Sequence, residues 1–260
     1  MLFAAAVMTA LYFTACNREN GGDNNGGGDD SREYPSTANV IRDAVMDIDS
    51  NKYDAVRIGD QVWMAENLKT TRYADGTSIP KGDTYSSEVP YRYLPGTNKS
   101  DDGYLYNWPA VMHGASSSNA NPSGVQGICP KGWHVPSDAE WTQLTNYMKT
   151  QAIYVSGGNA DHLAKALAYT QGWSKSNDEY TPGKNPANNN ASGFSAVAVG
   201  HCYGTSCYLV GTSANFWSST LNDENNTAAW VRNLAYNNAE VTQRCSYNYY
   251  GFSVRCLRDN

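Results

Sequence analysis

The stretch ICPKGWHVPSDAEW, residues 128–141, decides how the chain divides. Its second half opens a helix. Ser137 and Glu140 stand three residues apart behind Pro136, the spacing of a capping box. There the serine hydroxyl accepts from the Glu140 amide and the glutamate reaches back to the Ser137 amide. Trp141, Leu144 and Met148 follow at i, i+3 and i+7 on one apolar face, and Ala152 continues it. Beyond Gly157 and Gly158, residues 161–169 read as a second short helix with Leu163 and Leu167 on one side. Upstream, residues 41–64 alternate apolar positions (Val45, Ile48; Val56, Ile58; Val62, Met64) around the turn clusters Asp49-Ser50-Asn51 and Gly59-Asp60. That pattern predicts a meander of short antiparallel strands. Residues 67–118 carry almost no period, apart from the run Tyr104-Leu105-Tyr106-Asn107-Trp108. From Gly172 onward, short runs at 194–199, 208–210, 216–218, 228–234 and 252–257 sit between Asn/Gly/Ser clusters and read as a second set of strands. The whole predicts an α+β domain whose loops carry function.

The first residues bear on compartment. Residues 1–15, MLFAAAVMTALYFTA, are apolar and uncharged, too short to span a bilayer but suited to the core of an export signal. Thr14 and Ala15 before Cys16 resemble the lipobox of bacterial lipoproteins, in which Cys16 would carry the lipid. The lack of Lys or Arg ahead of the apolar run departs from that pattern. Residues 17–32, NRENGGDNNGGGDDSR, have nothing to bury and read as a flexible tether. The expected organisation is a signal peptide over 1–15, a lipidated cysteine and tether over 16–38, and one globular domain over 39–260. Such a chain would be exported and lipid-anchored to the cell envelope, at the outer membrane or cell surface.

Composition narrows the partners. The net charge is −6 and no basic stripe appears, which argues against nucleic acid. No second long apolar segment exists, so the expected membrane contact is the anchor alone. Tyrosine dominates the aromatics with 19 copies, and only 17% of residues are charged. Rigid amphipathic rings among Asn, Ser, Thr and Gly suit contact with sugars or proteins. After Cys16 come Cys129, Cys202, Cys207, Cys245 and Cys256. In an exported chain these read as disulfides, and the odd number leaves at least one free or joined to another chain. His201 beside Cys202 and Cys207 has the look of a zinc half-site, but no second pair stands at ligand spacing, and no metal or other cofactor is expected.

Four blocks together are recognisable: residues 56–68 (VRIGDQVWMAENL), 128–141, 216–220 (FWSST) and 250–259 (YGFSVRCLRD). In order and spacing they resemble the FISUMP family, the Fibrobacter succinogenes major paralogous domain, from about residue 40 to the last. That family is defined by sequence rather than activity and occurs in exported proteins and lipoproteins. Its C-terminal half resembles the C-type-lectin-like fold, with two helices, a small sheet, a long irregular region and a terminal strand bearing a Gly-Phe motif. The resemblance implies that Trp217 and Phe252 are core residues. It also implies that Cys129 pairs with Cys256, tying the block before the first helix to the last strand, and that Cys202 and Cys207 close a tight local loop. Cys245 is then left over.

Residues 222–250 are the expected binding segment, with Trp230, Arg232, Tyr236, Asn238, Tyr247, Asn248, Tyr249 and Tyr250 as candidate ligand contacts. Tyrosine supplies rigid contact area at low entropic cost, and Asn and Ser supply adaptable hydrogen bonds. In C-type-lectin-like proteins diversified by retroelements, the segment before the terminal Gly-Phe strand holds the variable binding residues. The expected function is a ligand-binding or adhesin module for an extracellular glycan or protein. Its rivals are a structural or fimbrial-tip subunit, joined through edge strands or Cys245, and a C-type-lectin-like oxidase using Cys202 and Cys207. Export favours a disulfide at that pair, and no catalytic residue is expected. His134 is tied to no nucleophile by any motif and reads as a buried structural histidine; His162 reads as exposed. Residues 47–51 and 222–226 offer oxygens of the kind calcium takes. The first run is a hairpin turn, where Asp and Asn are favoured anyway, and the second lacks a partner motif.

Overall fold

Trp63 and Met64 are neighbours in sequence, yet they are buried in different cores. The computed structural model describes residues 33–222 and 225–259. The proposed signal peptide 1–15, Cys16, residues 17–32 of the tether, and Asp223 and Glu224 of the second acidic run lie outside the described residues. Strands β1 (Asn39–Met46), β2 (Lys52–Ile58) and β3 (Gln61–Met64) form the meander expected from the alternation. Side chains along a strand point alternately to its two faces. Val56, Ile58 and Trp63 therefore enter one core, while Tyr53, Ala55, Val62 and Met64 enter the other. Ile48, read as part of the pattern, sits instead in the β1–β2 turn and is exposed.

The middle of the chain is mostly irregular. β4 (Arg92–Tyr93) pairs with β5 (Leu105–Tyr106), and α1 (Trp108–Met112) follows at once, capped by the Asn107 side chain. This helix has one turn and a proline, too little for a period to show in the sequence. β6 (Trp133–His134) leads into α2 (Asp138–Lys149). The capping box is present: Ser137 Oγ accepts from the Glu140 amide at 3.2 Å, and Glu140 Oε2 accepts from the Ser137 amide at 2.9 Å. The second helix, expected over 161–169, is the single turn α3 (Ala164–Leu167); no side chain caps its start.

The C-terminal strands depart from the sequence reading in instructive ways. They are β7 (His201–Tyr203), β8 (Ser206–Tyr208), β9 (Ser213–Asn222), β10 (Asn225–Ala235), β11 (Thr242–Tyr247) and β12 (Leu257–Arg258). Residues 194–199 are mostly buried but pair only through an isolated bridge, Ala168 with Ala196. The run 208–210 leaves the strand after Tyr208, because Leu209 takes φ +59°. β11 does not show in the sequence pattern, because its residues, TQRCSY, carry no apolar alternation.

Two larger sheets result. One has the order β1-β2-β3-β12-β6, the other β11-β10-β9, and every pairing in both is antiparallel. β9 is buried along residues 213–220, with Phe216 in the core under α2 and Trp217 in the core that holds Phe252. Trp217 and Phe252 are thus core residues, as the resemblance implied. Cys129 and Cys256 are joined, as are Cys202 and Cys207 across β7 and β8, and Cys245 carries no disulfide. Tyr34 to Ala38, read as the end of the tether, belong to the compact unit that runs from residue 34 onward. Thr37 donates to the Ala191 carbonyl, and Tyr34 packs on the α2 core. Among the described residues, no helix is long and apolar enough to cross a membrane.

Candidate ligand-binding face

β11 ends at Tyr247, and the chain turns through Asn248 to Tyr250 before re-entering the core at Phe252. That turn is pinned from below. The Asn248 amide donates to the Thr227 carbonyl, and its carbonyl accepts from the Trp108 amide at the start of α1. Asn248 is therefore buried, and the tyrosines on either side are turned outward. Tyr247 and Tyr249 stack with centroids 5.3 Å apart and planes 14° apart; Tyr250 lies 5.0 Å from Tyr249 and rests on Phe252.

Two further segments complete the array. Tyr203, in the β7–β8 hairpin, meets the Tyr249 ring edge-on at 5.5 Å. Tyr85, in the loop before β4, stacks on Tyr203 at 4.4 Å and reaches Tyr249 at 5.5 Å. Two stacked pairs, Tyr85–Tyr203 and Tyr247–Tyr249, thus stand at 70° to each other across the Tyr203–Tyr249 contact. The outer ring of each pair is half open to solvent, Tyr85 at 49% and Tyr247 at 48%. The Cys202–Cys207 disulfide sets the position of Tyr203, because it cross-links directly opposed residues of its two-strand hairpin.

Two phenols of the array are held in the protonated form. Tyr203 is pushed up to about 12, first by its hydrogen bond with Tyr85 and then by burial. Tyr249 is raised by burial and by the neighbouring phenols. His201 packs against Tyr250 and Phe252, and burial together with nearby Arg244 lowers its pKa, which favours the neutral ring. Two clefts open beside the turn. One, of about 390 Å³, is lined by Asn222, Ala228, Cys245, Ser246, Tyr247 and Tyr250. The other, of about 280 Å³, includes Ser87, Glu88, Trp108 and Asn248 in its wall.

The eight candidates from sequence do not form one site. Tyr247, Tyr249 and Tyr250 share the array, and Trp230 is half-buried on β10 opposite Cys245. Tyr236 and Asn238 lie in the β10–β11 hairpin turn, at the far end of the ladder from Tyr247. Arg232 is buried at 4%, ion-paired with Asp138 and donating to Thr142 Oγ1 at 3.0 Å, so it anchors α2 to β10 instead of facing a ligand. Tyr85 and Tyr203 were missed. Tyr85 lies in the aperiodic stretch, and Tyr203 sits between two cysteines in a segment too short to show a period.

The other histidine sites are structural in geometry. His134 is 3% exposed and has a carboxylate on each ring nitrogen: Asp259 on Nδ1 at 2.6 Å and Glu140 on Nε2 at 2.8 Å. No ring nitrogen remains to serve a nucleophile. Burial pulls its pKa down, but the two hydrogen bonds and two negative charges outweigh that and raise it. His162, expected to be exposed, is half-buried against Tyr180. In the 47–51 turn the Asp47 carboxylate accepts from the Asp49 and Asn51 amides, Asn51 Nδ2 and the Tyr53 hydroxyl. Its oxygens are committed to the protein. Among the described residues, no group of three His, Cys, Asp or Glu is placed to hold a metal ion.

The Fibrobacter succinogenes major domain matches residues 56–258 of this chain. The chain belongs to that family. No curated protein and no solved structure matches it. The four sequence blocks of the family domain converge in β2–β3, β6 with the start of α2, β9, and the segment ending in β12, which together make the framework. Of the five tyrosines in the array, Tyr250 alone lies inside a block; the others are carried on the connections between blocks.

Proposed function

We propose that this chain is a cell-surface lipoprotein whose family domain acts as a ligand-binding or adhesin module, contacting its ligand through Tyr85, Tyr203, Tyr247 and Tyr249. The observation that carries this reading is the array itself. Stacked tyrosines from three distant segments converge at the surface with the two end rings half open, and interface aromatics that are rigidly held contribute most to binding. We read the fold as C-type-lectin-like. The pair α2 and α3, the long irregular middle and the bond between Cys129, ahead of α2, and Cys256 in the last segment support that reading. The apolar run ahead of Cys16 and the two disulfides support export and lipid anchoring. The function needs neither a catalytic group nor a cofactor.

The test is a screen of soluble residues 33–260 against immobilised glycans and extracellular proteins, beside the Tyr247→Ala/Tyr249→Ala double variant. Binding that the double variant loses while it stays folded supports the reading; binding that it keeps places recognition elsewhere. Lipidation is read separately, by metabolic labelling with an alkyne fatty acid that Cys16→Ala abolishes. A second reading, an assembly subunit, is favoured by β11, a polar edge strand of its sheet that carries Cys245. It requires an oligomer in solution, and a role for Cys245 requires that oligomer to fall apart on reduction.

A further inference from the structure

We infer that the ligand of this face is an uncharged oligosaccharide, laid across the Tyr85 and Tyr247 rings as two separate platforms. This rests on the binding-module reading above and narrows it to one chemical class. The geometry is the first argument. Tyr249 lies 5.5 Å from Tyr85 and 5.3 Å from Tyr247, so the two half-open rings are within about 11 Å of each other. A ligand that uses both must present two flat apolar faces at that spacing, with polar groups around them. A short chain of pyranose rings does so, since each sugar has a C–H face that stacks on an aromatic ring and a rim of hydroxyls.

The surroundings of the rings are the second argument. Hydroxyls need a mix of donors and acceptors that can adapt, and amide and hydroxyl side chains supply it. The two clefts beside the 247–250 turn offer Ser246 on one side and Ser87 on the other. Both stacked pairs are pre-ordered, one by the Cys202–Cys207 cross-link and the other by the backbone bonds of Asn248, so little rotamer freedom is lost on binding.

Charge excludes the acidic sugars. Tyr203 and Tyr249 stay protonated at neutral pH, Glu88 is exposed on the wall of one cleft, and the chain as a whole carries −6. Arg244, the basic residue near His201, directs its guanidinium to the Asn215 side-chain oxygen. A sialylated or uronate-rich glycan would meet the negative charge of Glu88 and of the chain here, and the Arg244 guanidinium is turned toward Asn215. Calcium is not required in this arrangement, because ring faces and hydrogen bonds make the contacts.

The experiment uses residues 33–260 on an array of neutral oligosaccharides of about two to six units, together with sialylated and uronate glycans and a panel of extracellular-matrix and mucus proteins. Titration calorimetry follows on the best neutral ligand. The expected result is binding to neutral oligosaccharides that strengthens with chain length and persists in EDTA. Tyr85→Ala and Tyr247→Ala should each weaken it about tenfold, and Tyr247→Phe should hold it within about threefold. With either ring removed, the gain from the longer chain should disappear. Three results overturn the inference. Binding to acidic glycans only refutes the charge argument, and a neutral ligand indifferent to Tyr85→Ala refutes the two platforms. A protein ligand that depends on Tyr247, with no saccharide bound, refutes the sugar but leaves the binding module standing. If nothing binds that depends on Tyr247 and Tyr249, both readings fail together.

Discussion

The Arg255 guanidinium lies 4.5 Å from the centre of the Phe194 ring and donates to the carbonyl oxygen of that same residue. It also donates to the carbonyls of Met64 and Ser195 and to Asn67 Oδ1, and the side chain is fully buried. One arginine thus holds β3, the 194–195 loop and the last segment of the chain together. Arg255→Met keeps the volume but strands several buried carbonyls, and is expected to cost about 3–5 kcal/mol. Urea unfolding reads this directly; a loss under about 1 kcal/mol would show that the carbonyls find other donors.

Arg232 and Tyr247 separate stability from binding. Arg232→Ala leaves Asp138 without its buried partner and should lower stability by about 3 kcal/mol. Tyr247→Ala removes a half-exposed ring and should change stability by less than about 1 kcal/mol while abolishing most ligand binding. Thermal melts beside calorimetry on the same samples decide it. The opposite pattern would return Arg232 to the ligand and make Tyr247 structural.

The Cys129–Cys256 bond spans 127 residues. In the chain-entropy account, removing it as Cys129→Ala/Cys256→Ala should cost about 4–5 kcal/mol. Breaking Cys202–Cys207, with a separation of only 5, should matter far less to stability and should act on binding, because Tyr203 loses its fixed position. Denaturation and binding measured on each pair of variants check both halves of the statement.

His134 gives the fold a pH dependence of known sign. Its pKa in the folded state is raised above the ordinary 6.5 by Glu140 and Asp259, despite burial. The stabilisation is therefore full below about pH 6.5 and is lost as pH rises through the higher folded value. The urea midpoint of the natural chain should fall on the alkaline side, as pH rises above about 6.5. His134→Gln should remove that decline. A variant whose profile matched the natural one would shift the cause to another group.

Calcium should leave the melting temperature unchanged, and so should EDTA. The Asp47 carboxylate, the best oxygen donor of the 47–51 turn, already accepts from Asp49, Asn51 and Tyr53. A calcium-dependent rise in thermal stability would mean that this turn opens to take the ion.

The parts legible in the sequence were those where local pattern and tertiary burial agree. The capping box at Ser137 and Glu140, the meander around Asp49 and Gly59, and the cysteine pairings implied by the family blocks all belong to that group. β11 was not legible, since an edge strand with polar residues on both sides has no period to read. Residues 194–199 misled in the opposite way. They are apolar because they are mostly buried, and their backbone is held by one isolated bridge and by Arg255 instead of by a ladder. At the candidate face, contiguity in sequence was a poor guide. Tyr236 and Arg232 lie within the expected segment and are taken up by packing, while Tyr85 and Tyr203 arrive from outside it.

β12 has a consequence for how the molecule is made. Leu257 pairs on one side with Trp63 and on the other with His134, so it fills the gap between β3 and β6. A chain that grows from its N-terminus presents those two strands long before the residue that joins them exists. Until residues 255–259 arrive, the main sheet is split, Cys129 lacks Cys256, His134 lacks Asp259, and the 194–195 carbonyls lack Arg255. Closure of the native sheet thus waits on residues 255–259, and a chain clipped ahead of them should be more open to proteases than the intact one.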